Sequence, residues 1–280
     1  MSQRPRRSTA SQQVVGLDLV LERKARLAAA RWSRRARSGP PSVGVVIPTL
    51  NEARNLPYIL PELPEIVDEL VLVDGHSTDN TLETASRLYP EIRIVLAKQR
   101  GKGAALQTGL AACTSDIVVT LDADGSNDPA EIPRFVAALV SGADFAKGSR
   151  FVQGGGTSDM PRYRMLGNRV FVWLVRLFFG SRYSDLCYGY NAMWRDVVGV
   201  LQLDGAGFEI ETMMNIRALR AHLRVVEVPS FESERIHGAS NLHTISDGWR
   251  VLKTIFSERL DRRRAFPDVD HERSLETADL

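Results

Sequence analysis

From Ser42 onward the chain alternates short β-branched runs with helical stretches, and that rhythm constrains the fold more than any other feature. The runs are Val43–Ile47, Leu70–Val73, Ile92–Leu96 and Ile117–Leu121. Each is short and apolar, the pattern of a strand buried on both faces. Between them, Leu56–Leu63, Asp79–Leu88 and Lys102–Ala112 are helical stretches opened by polar residues or glycine suited to caps and tight turns. This alternation predicts an α/β fold: a Rossmann-like, doubly wound, mostly parallel sheet with right-handed crossovers. Ligands in such sheets sit beyond the carboxyl ends of the strands. The candidate site is therefore Pro48–Glu52, Asp74–Ser77, Lys98–Gly103 and Asp122–Asp124.

Asp122-Ala123-Asp124 is the strongest of these signals because it ends an apolar strand. In extended chain, residues two apart project to the same side, so Asp122 and Asp124 can converge on one hard cation, Mg2+ or Mn2+. A nucleoside diphosphate would fill the remaining coordination positions, and the cation would neutralise charge on the departing diphosphate. Gly101-Lys102-Gly103 opens a helix, offering backbone N–H donors and an ammonium group to phosphate. It is not a Walker A loop, since the earlier glycine and the following Ser/Thr are missing. No GxGxxG follows the first strand either, so P-loop and dinucleotide readings lose their support.

At 280 residues the chain can bury one substantial core, which makes one catalytic domain with tails the expectation. The net charge of +2 conceals an asymmetry: the first 41 residues hold ten Lys/Arg and two Asp/Glu, and the remainder is net acidic. The basic character belongs to an extension, which argues against a nucleic-acid-binding core. The expected division is a basic extension at 1–41, a catalytic domain at 42–240, and a C-terminal amphipathic helix with its tail at 241–280. Within that last segment Leu242, Ile245, Trp249, Leu252, Ile255 and Phe256 recur at helical spacing, as in a helix docked on the body or one laid on a membrane face. The longest apolar stretch, Val170–Phe179, is broken by Arg176 and falls short of the ~18 residues of a spanning helix. No signal peptide is visible in Met1–Ala10, and Cys113 and Cys187 are isolated, so a cytoplasmic location is expected. Val14–Arg37 and Val170–Phe179 mix apolar and basic residues, which would allow peripheral contact with the inner membrane face.

Val46–Glu52 followed by Leu72–Thr81 resembles the nucleotide-binding half of family 2 glycosyltransferases, and Asp122-Ala123-Asp124 falls where that family keeps its own acidic motif. The resemblance implies a GT-A fold. It also implies that Pro48, Thr49 and Glu52 line the nucleoside pocket, that Asp74 contacts base or ribose, and that Asp122 and Asp124 serve ribose, diphosphate and metal. Gly75 departs from the pattern, since a second acidic residue often stands there. Lys147–Phe151, the glycines 154–156, Arg162, Arg164, Arg182–Asn191 and Arg235–Asn241 resemble the polyprenyl-phosphate (dolichol-phosphate) mannosyl- and glucosyltransferases. In that branch the arginines matching Arg150 and one of Arg162 and Arg164 bind the acceptor phosphate, and the Arg235 segment approaches the donor diphosphate. Gly125-Ser126 and Asn241 depart from that branch.

The implied reaction is inverting and metal-dependent: a hexosyl unit passes from a GDP-mannose or UDP-glucose type of donor to polyprenyl phosphate. A soluble hydroxyl acceptor is the alternative. A lipid phosphate is already a dianion at neutral pH and needs no general base, whereas a hydroxyl would require a carboxylate. Asp185 is the expected acceptor-side acid, and Glu211 is expected to lie solvated on a helix. Lys102 joins the donor site, and His237 is the candidate to assist the leaving diphosphate.

Overall fold

The β-branched runs form the strands β1 (Val43–Thr49), β2 (Glu69–Asp74), β3 (Arg93–Leu96) and β4 (Ile117–Thr120). Val45, Val46, Ile47, Val71, Leu72 and Val118 are fully buried. The computed structural model describes residues 31, 34, 39–239 and 242–261, and Pro41–Leu260 build one unit. The anchoring helix expected within Val14–Arg37 lies outside the described residues save for Arg31 and Arg34, and so do Asn241 and the chain beyond Asp261.

Three helices alternate with these strands: α1 (Leu56–Ile59), α2 (Thr81–Leu88) and α3 (Lys102–Ala112). The expected helix Leu56–Leu63 is divided, with Leu60–Glu62 wound as a 3-10 turn. Pro61 in that turn has no backbone N–H to continue an α ladder. β1 pairs in parallel with both β2 and β4, and β2 with β3. The four carboxyl ends therefore face one way.

After α4 (Ile132–Val140) come β5 (Phe145–Ser149), β6 (Gly156–Thr157), α5 (Arg162–Phe179), β7 (Asn191–Trp194), α6 (Arg195–Leu201), α7 (Ile210–Arg220), β8 (Val225–Pro229), β9 (Phe231–Glu232) and α8 (Thr244–Leu260). The main sheet has seven strands in the order β3-β2-β1-β4-β7-β5-β8. Only β7 is reversed, running antiparallel to β4 and β5. β6 and β9 form a separate two-stranded sheet. Ser149 ends β5, which brings Arg150 to the same side of the sheet as the β1 and β4 loops.

A second apolar core, with Val175, Leu186, Ile216, Val251 and Ile255 buried, joins α5, α7 and α8. The C-terminal helix is thus docked on the body. The fully buried Arg217 reinforces it, donating from Nε to Glu258 at 2.8 Å and from Nη2 to Asp204 at 2.7 Å. A buried guanidinium is tolerable only where its donors are used in this way. No helix among the described residues is long and apolar enough to cross a membrane.

Replacing Ile255 by Ala should cost about 2–4 kcal/mol, because it leaves a cavity in a fully packed site. Denaturant unfolding measures this, and a loss below about 0.5 kcal/mol, the range of surface substitutions, would show that α8 is not part of the folded core.

Candidate active site

A cavity of about 380 Å3 opens beyond the carboxyl ends of β1 and β4, within the range of small-molecule sites. Pro48, Thr49, Glu52, Lys102, Asp122, Ala123, Asp124, Arg150, Arg164 and Arg235 line it. Asp74, Arg162, Asp185 and His237 do not. Ten of the fourteen sequence candidates thus share one wall system, and the other four play visibly different parts.

Asp122 and Asp124 lie in the turn after β4, not on the strand itself, so strand alternation does not set their directions. Each has its own cation. Lys102 Nζ sits 2.8 Å from Asp122 Oδ1 and 2.9 Å from Glu211 Oε1. Arg235 Nη2 sits 2.7 Å from Asp124 Oδ2, while Asp124 Oδ1 accepts from the Ser126 N–H at 2.9 Å. Burial alone would lower the Lys102 pKa, but Asp122 and then Glu211 overcome it and hold the ammonium above its ordinary range. Burial also raises Glu211. Gly189 makes room for this cluster, since a Cβ there would lie 2.8 Å from Lys102 Nζ. No group of three His, Cys, Asp or Glu that could hold a metal occurs among the described residues. Two hard carboxylate oxygens donors fit Mg2+ or Mn2+ only when phosphate oxygens of a ligand complete the sphere.

At the β1 end of the cavity Glu52 donates its backbone N–H to Thr81 Oγ1 at 2.9 Å, and its carboxylate accepts from Asn55 Nδ2 at 2.5 Å. Burial, the dominant cause, pushes Glu52 up to about 7, against the pull of Asn55 and Arg235. Asp74 is buried with its carboxylate turned to its own loop, accepting from the backbone N–H groups of His76 and Ser77 at 3.2 Å. It shapes the β2 turn, and the neighbouring Gly75 takes the place on the cavity wall. His237 packs edge-on against Tyr58 with ring centroids 5.7 Å apart, and its carbonyl accepts from Asn55 Nδ2 at 3.2 Å. It pins the Arg235 segment from behind.

At the opposite end Arg150 donates from Nε and Nη2 to the two oxygens of Asp185, at 2.7 and 2.9 Å. Asp185 is fully buried. Burial works against its charge, but Arg150 and then Lys147 overcome it and hold the carboxyl below its ordinary range. This geometry makes Asp185 the fixed counter-ion of Arg150, a different part from the proton acceptor expected of it. Arg164 reaches the cavity from the first turn of α5, whereas Arg162 is exposed and points to no part of it. From there the wall becomes apolar, with Phe171, Leu242 and Val251 between α5 and α8.

The family model described as Glycosyl transferase family 2 matches residues 44–199. The chain belongs to that family. Dolichol-phosphate mannosyltransferase of Pyrococcus furiosus is 33% identical over 209 residues, covering 71% of this chain and 59% of that protein's length. Polyprenol monophosphomannose synthase of Mycolicibacterium smegmatis is 31% identical over 240 residues, 79% of this chain and 89% of that one. Among solved structures, glucosyl-3-phosphoglycerate synthase of Mycobacterium tuberculosis with phosphoglyceric acid matches at a TM-score of 0.63 and 25% identity, covering 82% of each chain. The same enzyme with Mn2+, UDP and glucosyl-3-phosphoglycerate matches at 0.61 and 25%. The seven-stranded sheet is that of a GT-A glycosyltransferase.

Two residues of this glycosyltransferase's site escape sequence reasoning. Glu211, expected in solvent, is 3% exposed because α7 is buried nearly all round from Ile210 to Ala218. Local spacing did not reveal this, since Glu211, Thr212 and Asn215 share one polar side of α7 that the fold buries. Glu232 also lines the cavity and accepts from Arg150 Nη1 at 3.0 and 3.1 Å. No local motif marks it, since its partner lies 82 residues away.

A carboxyl raised by burial favours the folded state when protonated. That contribution is complete below the ordinary carboxylate pKa and is lost as pH rises toward about 7. Glu52→Gln should therefore stabilise the ligand-free enzyme by about 1 kcal/mol at pH 8 and by much less at pH 5, a figure discounted for partial screening by solvent. Thermal melts across that range decide it, and a flat difference would mean that Glu52 titrates as an ordinary carboxyl.

Proposed function

We propose that this enzyme transfers a hexosyl unit, with inversion, from a nucleoside-diphosphate sugar of the GDP-mannose or UDP-glucose type to polyprenyl phosphate. The observation that carries the reading is the continuity of the cavity: it runs from the acidic turn, past Arg150 and Arg164, to an apolar end between α5 and α8. A donor diphosphate, an anionic acceptor and an isoprenoid chain match those three regions in turn. The relatives named for dolichol-phosphate and polyprenol mannosyl transfer support the acceptor, and the Mn2+ and UDP complexes of the phosphoglycerate enzyme support the donor class.

In this reading Glu52, Pro48 and Thr49 enclose the nucleoside. Asp122 and Asp124 would hold Mg2+ or Mn2+ jointly with the diphosphate, and the bound cation would neutralise charge on the leaving group. Lys102 and Arg235 stand on either side of that position, and Arg235 turns to the diphosphate once Asp124 is engaged by metal. Arg150 holds the acceptor phosphate, whose oxygen attacks the anomeric carbon from the side opposite the diphosphate. A phosphate dianion needs no base, which agrees with the engagement of Asp185 by Arg150. Peripheral membrane contact belongs to the same reading. Tyr163, Leu166, Val170, Trp173 and Leu177 of α5 are exposed at alternating three- and four-residue spacing, with the exposed Arg162, Arg169 and Arg176 beside them. A stripe of that composition suits an anionic headgroup boundary.

A soluble acceptor is the second reading, favoured by the 82% mutual coverage with an enzyme crystallised with phosphoglyceric acid. Nucleoside diphosphate release separates the two. With a short-chain polyprenyl phosphate, release should depend on Mg2+ or Mn2+, stop in excess EDTA, and fall on the order of a hundredfold or more in Asp124→Asn, as when a principal charge-stabilising group is removed. Release driven only by soluble hydroxyl acceptors would overturn the lipid reading, and full turnover in EDTA would overturn the metal assignment.

A second outcome concerns the exposed stripe. Trp173→Asp should abolish sedimentation with anionic liposomes while leaving the melting temperature within about 2 °C, since surface substitutions usually change stability by less than 0.5 kcal/mol. Unchanged liposome binding would remove α5 from the membrane contact.

A further inference from the structure

Arg150, the cation assigned to the acceptor phosphate, has no free edge in the ligand-free enzyme. Nε and one N–H of Nη2 are taken by Asp185, and Nη1 donates to both oxygens of Glu232 at 3.0 and 3.1 Å. The ring of Tyr188 covers one face, with its centroid 4.7 Å from the guanidinium carbon. A phosphate entering the cavity can therefore reach Arg150 only where Glu232 already sits.

The two carboxylates that hold Arg150 differ in kind. Asp185 has no exposed surface, and it also accepts from the backbone N–H groups of Arg150 and Cys187, each at 3.3 Å. Glu232 lines the cavity, and its side chain keeps 16% of its surface exposed. It stands on the two-residue strand β9, paired only with β6, and its one other side-chain partner is Thr157 Oγ1 at 2.6 Å. The chain then runs on to Arg235, which is tied to Asp124. Gly125, at φ +80, permits this close approach, since a Cβ there would lie 2.4 Å from Ile236 Cδ1. One arm of Arg150 is thus anchored in the interior, and the other is closed by an exchangeable group.

We propose that Glu232 is a displaceable stand-in for the acceptor's phosphate, occupying the oxyanion position on Arg150 until a phosphate monoester dianion takes its place. This rests on the reading of Arg150 as the acceptor site and deepens it. Carboxylate and phosphate offer the guanidinium fork similar oxygen pairs, so one can replace the other without moving Arg150. The consequence is selectivity. A neutral hydroxyl cannot displace a tethered carboxylate, whereas a dianion forms stronger charge-assisted bonds and repels Glu232 as it arrives. Glu232 is then a specificity-determining residue that admits doubly charged phosphates and keeps Arg150 covered against water and weaker anions.

Calorimetry with inorganic phosphate on the full chain tests this, with the donor site filled beforehand by saturating nucleoside diphosphate and Mn2+. Glu232→Gln removes the competing charge while keeping a hydrogen-bond acceptor, and it should bind phosphate at least about tenfold tighter than wild type, a gain of about 1.4 kcal/mol. Unchanged or weaker binding would overturn the proposal and make Glu232 a fixed partner of Arg150. Glu232→Ala, which also frees the edge of Arg150, should show the same gain if Gln proves poorly folded. Arg150→Lys separates this failure from failure of the underlying reading. If Arg150→Lys weakens phosphate binding but the Glu232 variants gain nothing, only the stand-in falls. If Arg150→Lys binds phosphate as wild type does, the acceptor assignment falls with it. Competition by geranyl phosphate and by glycerol 3-phosphate then names the source. Stronger competition by either supports the dianion site, lipid-borne or soluble respectively, and failure of both to compete overturns it.

Discussion

The pairing of each carboxylate in the acidic turn with a cation from elsewhere in the chain is the interaction on which the site depends. Two aspartates placed two residues apart in a partly enclosed cavity repel one another. Lys102 answers Asp122 from the start of α3, and Arg235 answers Asp124 from the loop after β9. Glu211 ties the Lys102 end into the buried helix α7, and Glu52 extends the Arg235 end toward the β1 loop at 3.6 Å. The same logic recurs around Arg150, where Asp185 and Glu232 neutralise a guanidinium that the sheet has carried to the cavity. Among these groups six carboxylates share three cations, so each carboxylate has a cationic partner and each cation has two acidic ones.

The fold that arranges these pairs is simple in its first half. Parallel β1, β2 and β4 deliver their loops to one edge, and the buried strands leave those loops no freedom to drift. The second half adds β5, at whose end Arg150 stands, and the small β6/β9 sheet, whose strand β9 leads Glu232 and then Arg235 to the cavity. Glu52, Lys102, Asp122 and Asp124 come from the first half of the chain, and Arg150, Glu232 and Arg235 from the second. Their meeting is a property of topology, not of any one motif.

That division also explains what was legible in the sequence. The β-branched runs announced β1, β2 and β4 because strands buried on both faces must be continuously apolar, β3 showed the same run although it is a half-exposed edge strand, and the loops that follow them supplied Glu52, Lys102, Asp122 and Asp124. β7 and β8 gave no comparable signal: Asn191–Trp194 is short and mixed, and Val225–Pro229 is interrupted by Glu227. Asp185 and Asp74 were recognised as important acids, but their tasks depend on what lies opposite. Arg150 claims the first, and the backbone of its own loop claims the second. Glu232 carried no signal because its meaning comes from a partner far along the chain. Spacing reveals which residues share an element, and only the packed chain reveals which charges share a neighbour.

If internal cations hold the acidic turn until the donor arrives, metal affinity must depend on the nucleotide. Electron paramagnetic resonance of Mn2+ reports this directly as the loss of free-ion signal on titration with the enzyme. With only two carboxylates available, each already paired, the ligand-free enzyme should hold Mn2+ weakly, and saturating nucleoside diphosphate should tighten it by at least about a hundredfold, or about 2.7 kcal/mol of coupling. Mn2+ affinity that is the same with and without the nucleotide would contradict the account, because it would mean that the protein alone forms the metal site.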